Sequence, residues 1–151
     1  MRALIAVTLF SLGCGAAMDA NSGGDHVRGK SAEIKFGQTH DDFISADKGD
    51  HTDWKKFVLS EPAVVAIHAY WDEPSVQIKV MVRDQFGGQV FSLDHSTGNP
   101  ADHWTGMKLR EGDYYLEVVS GRGSSVYTFE LEFEEGGSDG GGSDGDVAPP
   151  E

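Results

Sequence analysis

The chain has 151 residues, of which 25 are acidic and 12 basic, so its formal charge at pH 7 is −13. This acidic balance repels phosphate backbones and argues against a nucleic-acid partner. The single cysteine excludes a disulfide within the chain and any metal site that needs several cysteines. No apolar run reaches the roughly 20 residues that a bilayer-spanning helix needs. We therefore expect one small domain with tails.

The N-terminal segment is typical of a secretory signal. Arg2 supplies a positive charge, residues 3–12 form an almost unbroken apolar run, and small residues follow. The lone Cys14 stands between Gly13 and Gly15, where signal cleavage is expected. This stretch resembles the lipobox of bacterial lipoproteins, in which the cysteine becomes the acylated first residue of the mature chain.

That resemblance implies that residues 1–13 are a lipoprotein signal peptide and that Cys14 is lipidated, with palmitate-type chains, as a membrane anchor. Gly15, rather than Asp, after the cysteine implies sorting to the outer membrane under the common rule for this class. The alternative is an ordinary secreted protein with an idle cysteine, cleaved near residues 15–17.

Two segments without hydrophobic periodicity flank the predicted fold. Residues 14–30 are small and polar, which is typical of a flexible tether. Residues 134–151 repeat Gly-Gly-Ser-Asp-Gly and carry acids but no base. Because this stretch can bury almost no surface, it cannot offset its ordering entropy, and we predict a disordered acidic tail.

Residues 31–133 show the alternation of β-strands. We predict strands over 54–59, 62–71, 76–82, 89–93, 114–119 and 126–133. The last of these places four apolar side chains on one face: Tyr127, Phe129, Leu131 and Phe133. The inward set is predicted to include Phe57, Ile78, Val80, Leu116, Val118, Phe129 and Leu131. No stretch keeps a helical period, so we predict an all-β fold, a single antiparallel, jelly-roll-like β-sandwich of about eight strands.

Short motifs in this region follow a familiar order. They are Lys35 to Thr39 (KFGQT), Asp53-Trp54, a Pro62-led strand, an Asp84-x-x-Gly87 turn, Tyr114-Tyr115 after Gly112-Asp113, and Tyr127 to Leu131 (YTFEL). Together they resemble the bacterial pre-peptidase C-terminal domain over residues 33–133. Lys55 and Gln77 depart from the family pattern, which has an aromatic residue and often Asp there. The resemblance implies a β-sandwich and does not imply an activity.

Five acids crowd residues 41–53, and among them Asp47, Asp50 and Asp53 flank the turn at Lys48-Gly49. Calcium takes six to eight oxygen ligands, which carboxylate-rich loops supply. Relatives of this fold, notably collagen-binding domains of secreted collagenases, use acids near the first strands for calcium. We therefore consider a calcium site at this trio, against the alternative that these acids only cap turns.

The histidines raise a second metal hypothesis. His95 and His103 flank a segment, predicted as a loop, that also holds Asp94 and Asp102. Zinc needs three or four convergent ligands, and adjacent residues alternate faces when extended. Exposed loop histidines are therefore the favoured interpretation, with His68 on the solvent face of its strand.

The aromatic residues outside the predicted inward set include Tyr70, Trp71, Trp104 and Tyr115. Exposed rings of this kind bind saccharides or peptides at low entropy cost, and the alternative is that two or more of these four cap the ends of the sandwich. No hydrolase elbow or phosphate-binding loop stands in the sequence. We therefore predict a non-catalytic binding or assembly module tethered to the outer membrane, with envelope proteins or a saccharide as partners. The alternatives are an accessory subunit of a larger envelope machine and a small secreted hydrolase.

Overall fold

The computed structural model describes residues 24–134. This part of the chain forms nine strands and two single-turn 3-10 helices, at Arg28–Lys30 and Ala46–Lys48, with no α-helix. The strands are β1 (Ala32–Glu33), β2 (Thr39–Ser45), β3 (Thr52–Leu59), β4 (Ala63–Trp71), β5 (Gln77–Asp84), β6 (Gln89–Asp94), β7 (Ala101–Leu109), β8 (Gly112–Arg122) and β9 (Ser124–Glu134). No helix among residues 24–134 is long and apolar enough to cross a membrane.

The strands build two facing sheets. The five-stranded sheet has the order β1-β3-β8-β5-β6, and the four-stranded sheet has the order β2-β9-β4-β7. From β2 to β9 all pairs are antiparallel, and the chain alternates between the sheets as in a jelly roll except at the β5–β6 hairpin, which stays within one sheet. The predicted all-β jelly-roll-like sandwich is confirmed. The ninth strand, β1, adds only two residues, parallel to β3.

The core lies between the sheets, where strand alternation points one face of each strand inward. Every side chain predicted to point inward is buried: Phe57, Ile78, Val80, Leu116, Val118, Phe129 and Leu131. Phe133 is the exception to the alternation predicted for the last strand. It is 59% exposed, because it lies beyond the end of the core, two residues after the fully buried Leu131.

The prediction of a loop around His103 is wrong in part, because residues 101–109 form β7. In its pairing with β4, Val65 lies opposite Met107 and Ile67 opposite Trp104. Two residues of β7 therefore oppose one of β4, and Gly106 takes φ 74° at this bulge. The bulge shifts the burial from even to odd positions along β7, so the alternation that marks a strand is interrupted.

Candidate functional site

Three carboxylates from distant parts of the chain meet beside the core. Asp25 precedes the first 3-10 helix, Asp42 lies on β2 and Asp53 on β3, and one oxygen of each lies within 4.8 Å of the others. Asp25 and Asp53 are buried, and Asp42 is half-buried. We call these three residues the carboxylate cluster. Alternation along β3 places Asp53 inward, on the same face as Lys55 and Phe57.

Lys55 supplies the cation that this cluster contacts. Its Nζ donates to Oδ2 of Asp25 at 2.5 Å and also to Oδ2 of Asp42. Burial alone lowers the pKa of Lys55, but the hydrogen bonds to the two carboxylates outweigh it, so the pKa is raised. Lys55 therefore stays charged and joins the segment before β1 to β2 and β3.

Asp53 behaves differently from its two neighbours. Its side chain is fully buried, and Oδ2 accepts a 2.8 Å hydrogen bond from the Tyr127 hydroxyl. Burial raises the pKa of Asp53 to about 8, and the charges of Asp25 and Asp50 add to the increase. Burial also raises the pKa of Tyr127 well above its usual value. At neutral pH most Asp53 is therefore protonated, and the two carboxyl groups that Lys55 contacts are those of Asp25 and Asp42.

The donor set of the cluster is that of a hard cation such as calcium, which binds carboxylate oxygens at 2.3–2.6 Å. Oδ1 of Asp25 and Oδ1 of Asp53 are buried without a hydrogen-bond partner, and Asp53 would have to lose its proton before it could bind a cation. Lys55 already contacts two of the three carboxylates, so a calcium ion would compete with its ammonium group. The spacing of the three carboxyl groups is one that could hold a cation, with Lys55 as the competitor.

The predicted calcium trio is divided among different partners. Only Asp53 belongs to the carboxylate cluster. Asp47 is exposed, and its Oδ1 accepts a 3.4 Å hydrogen bond from the Gly123 amide. Asp50 is buried, and its Oδ2 accepts a 3.0 Å hydrogen bond from the Ser45 amide. Calcium binding by Asp47, Asp50 and Asp53 stays a prediction.

Sequence reasoning missed Asp25 and Asp42 as members of the cluster. Asp25 lies within the segment predicted as a flexible tether, yet it is 2% exposed and its carbonyl accepts the Trp54 amide. One signal could have found the pair. Lys55 occupies an inward position of β3, and a buried ammonium group requires carboxylate partners.

The four predicted binding aromatics have different surroundings. The expected exposure of Trp71 is wrong, because it is 3% exposed and packs in the core. Tyr70 is 41% exposed on the outer face of the four-stranded sheet. Trp104 is half-buried against the core, and Tyr115 is half-buried on the outer face of the five-stranded sheet, where Arg28 lies over its ring.

Trp71 is held inward by a buried polar network. Its Nε1 donates to Oδ2 of Asp102 at 2.8 Å, and the same oxygen lies 2.5 Å from Nδ1 of His95. The other ring nitrogen of His95 lies 3.0 Å from the carbonyl oxygen of Pro74. Both nitrogens of His95 therefore have partners within the fold, which separates it from His103 on the outer face of β7.

A groove with both apolar and polar walls lies at the end of the sandwich where β3 turns into β4. It is lined by residues 58–64 with Lys108, Phe133 and Glu134 and has a volume of about 620 Å³. We call it the end groove. Val58 and Phe133 in its wall are 53% and 59% exposed. Concave sites of 300–1,000 Å³ are the usual size for bound ligands.

The predictions for Cys14, for the signal peptide at residues 1–13 and for the tail after Glu134 lie outside the described residues. Those for residues 14–30 fall partly outside them, since the structure begins at Gly24.

Solved structures of other proteins are similar to this chain to different degrees. The pre-peptidase C-terminal domain of collagenase from Bacillus anthracis matches with a TM-score of 0.56 and 15% identity, over 67% of this chain and 93% of that chain. PliG from Aeromonas hydrophila, a periplasmic inhibitor of g-type lysozyme, matches with a TM-score of 0.47 and 10% identity, over 69% of this chain and 96% of that chain. The fucose binding module SpX-3 from Streptococcus pneumoniae matches with a TM-score of 0.39 and 9% identity, over 64% of this chain and 72% of that chain.

The expected resemblance to the pre-peptidase C-terminal domain is confirmed at the level of the fold. No protein-family model matches the chain, and no curated protein matches it.

Proposed function

We propose that this chain is a non-catalytic binding module, held at the outer membrane by lipid on Cys14, and that the end groove receives its partner. The observation that carries the proposal is the exposure of two apolar side chains in one groove, Phe133 at 59% and Val58 at 53%. Soluble domains expose grouped apolar surface chiefly where a partner covers it.

Phe133 is fixed in place before any partner arrives. Its ring stacks on Phe36, with centroids 4.0 Å apart and planes within 8°. Phe36 in turn packs edge-on against the buried Phe57 at 5.8 Å. One face of Phe133 is thereby supported by the core. A side chain that is already ordered loses little entropy on binding, which favours affinity.

The chemistry of the end groove favours a segment of another envelope protein as the partner. Its lining combines apolar and polar residues in similar measure, and the apolar part suits apolar side chains of an extended peptide. Glu61, Lys108 and Glu134 add charged groups that can hydrogen-bond a peptide backbone. An apolar centre with polar groups around it is the usual anatomy of a protein interface.

A non-catalytic role is supported by the position of the most strongly shifted carboxyl. Asp53 is fully buried, so it cannot come within hydrogen-bond reach of a substrate as a general acid or base must. A pKa raised by burial is also common in structural networks.

A saccharide is the second candidate partner, and the exposure of Tyr70 favours it. Tyr70 lies near the end of β4, whereas the end groove lies at the start of that strand. Seven residues of extended chain separate Ala63 from Tyr70, which is roughly 23 Å at about 3.3 Å per residue. The two candidate partners therefore use surfaces that single substitutions can separate.

The test is site-specific photo-crosslinking in the intact cell envelope. A photoreactive side chain at Glu61 should capture a protein, and Phe133→Ala should abolish the capture while Tyr70→Ala leaves it unchanged. The same photoreactive residue at Gln89, on edge strand β6, is the matched control and should capture nothing. Capture that is insensitive to Phe133→Ala would overturn the proposal. Saccharide binding lost in Tyr70→Ala, with no protein captured at Glu61, would favour the second candidate.

A further inference from the structure

Two histidines face each other on the outer surface of the four-stranded sheet. His68 on β4 and His103 on β7 are directly opposite in the strand register. Their rings lie with centroids 4.8 Å apart, and the two Nδ1 atoms are separated by 2.5 Å. We propose that His68 and His103 bind a divalent late transition-metal ion of the Ni²⁺, Cu²⁺ and Zn²⁺ class through their Nδ1 atoms.

The surroundings fix which nitrogen of His68 is free to coordinate. Oε2 of Glu132 on β9 lies 3.4 Å from Nε2 of His68. A carboxylate only accepts, so it favours the tautomer with hydrogen on Nε2 and leaves the lone pair on Nδ1. His103 then donates its Nδ1 hydrogen to this lone pair. When a metal ion binds, it replaces that shared hydrogen: the Nδ1 proton of His103 leaves to solvent and Nε2 of His103 takes up a proton from solvent, so both rings coordinate as neutral imidazoles.

The arrangement matches a pattern that metal-binding histidines use. A coordinating imidazole commonly donates its second N–H to a carboxylate, which orients the ring and raises its basicity. Imidazole nitrogens bind these metals at about 2.0–2.1 Å, so two ligands on one ion lie roughly 3 Å apart. The two Nδ1 atoms need to separate by less than about 1 Å, which rotation of surface side chains allows.

The sheet places one further carboxyl side chain in the same row. Glu130 on β9 lies directly opposite His68 on the side away from His103. A row formed by His103, His68 and Glu130 therefore crosses three adjacent strands. Water can complete the coordination on the open face. Mixed imidazole and carboxylate donors suit nickel, copper and zinc, and copper binds most tightly in this series.

Three of the four other histidines of the described chain have partners that differ from this pair. His95 is enclosed between Asp102 and Pro74. Nδ1 of His51 lies 3.2 Å from the Ser120 carbonyl oxygen, and Nε2 of His40 accepts the Lys35 amide at 2.8 Å. None of these three contacts brings a second imidazole to the ring.

The experiment uses the full chain with Cys14→Ser in every sample, so that the lone thiol does not compete for metal. Zn²⁺ binding by calorimetry should show one site, and Cu²⁺ bound to the protein should show an electron paramagnetic resonance spectrum with coupling to two imidazole nitrogens. We expect His103→Ala to weaken binding at least tenfold and Glu132→Gln to weaken it about tenfold. His40→Ala is the matched control and should bind as the parent does.

Metal-free circular dichroism and melting temperature should be unchanged in the His103 variant, because its side chain is exposed and outside the core. Equal affinity in the parent and in the variant that carries both His68→Ala and His103→Ala would overturn the proposal. So would a copper spectrum without coupling to two nitrogens.

Discussion

The hydroxyl group of Tyr127 donates a 2.8 Å hydrogen bond to Oδ2 of Asp53. Tyr127 lies on β9 of the four-stranded sheet and Asp53 on β3 of the five-stranded sheet, so the bond joins the two layers of the sandwich. Their exposures are 1% and 0%, and a hydrogen bond is stronger in such a low-dielectric interior than in water. A carboxyl group that burial keeps mostly protonated near neutral pH is therefore part of the core.

The state of Asp53 predicts how stability depends on pH. Its pKa is about 8 in the folded chain, against the ordinary 3.8, so between these values only the folded state holds the proton. The contribution is fully present below about pH 4 and is lost as the pH rises to 8. One proton gives a slope of at most about 1.4 kcal/mol per pH unit. Asp53→Asn cannot ionise and should flatten the urea-unfolding free energy between about pH 5 and 7.5.

The charged groups around Asp53 are Asp25, Asp42, Asp50 and Lys55. Burial also raises the pKa of Asp25, so a smaller slope of the same sign should remain in the variant. The exposed Asp47 provides the control, and Asp47→Asn should keep the wild-type slope. An unchanged slope in Asp53→Asn would show that this carboxyl is ionised in the folded chain.

Lys55 predicts the response of the fold to calcium. Lys55→Met removes the ammonium group and leaves Asp25 and Asp42 buried or half-buried without their cation. We expect millimolar Ca²⁺ to raise the melting temperature of this variant more than that of the wild type. Binding to the folded state alone contributes about 2.7 kcal/mol at a hundredfold excess over the dissociation constant. Differential scanning fluorimetry with and without Ca²⁺ provides the measurement.

Two further substitutions locate any calcium that binds. If the carboxylate cluster holds the ion, Asp42→Ala abolishes the shift and Asp47→Ala does not. If the trio predicted from the sequence holds it, Asp47→Ala abolishes the shift instead. Lys56→Met removes a surface lysine that pairs with Asp113, and it should behave as the wild type. The absence of any shift in Lys55→Met would exclude a role for Lys55 as the internal competitor.

The predictable parts of this fold are those where one face of a strand is buried and the other is not. Apolar residues recur with a period of two along β5 and β9, so the sequence correctly predicts that Val80 and Phe129 point inward. β7 was not predicted, because the bulge at Gly106 moves the buried side chains from even to odd positions between its two halves. The carboxylate cluster escaped because Asp25 lies in a polar segment without periodicity, and its burial depends on Lys55, which is 30 residues away in the chain.

Acylation of Cys14 would anchor the chain to a membrane, and this can be tested by phase partitioning. If it is acylated, the wild-type chain expressed in a bacterial host should partition into the detergent phase, and its mature N-terminal peptide should begin at Cys14 with added acyl mass. Cys14→Ser should give an unprocessed or aqueous-phase form. Stable attachment requires more than one acyl chain, because a single chain binds membranes only marginally. Wild-type protein found wholly in the aqueous phase contradicts the anchor.

Asp102 connects Trp71 and His95 in the polar network of the core, and we expect its removal to destabilise the fold. Its Oδ2 faces Nε1 of Trp71 at 2.8 Å and Nδ1 of His95 at 2.5 Å. Asp102→Ala removes the hydrogen-bond partner of both buried side chains, and each buried polar group left without a partner costs about 1–3 kcal/mol. Asp94→Ala, at a side chain that is 78% exposed, should cost less than about 0.5 kcal/mol. Urea unfolding followed by tryptophan fluorescence measures both, and equal losses in the two variants would show that Asp102 stabilises neither Trp71 nor His95.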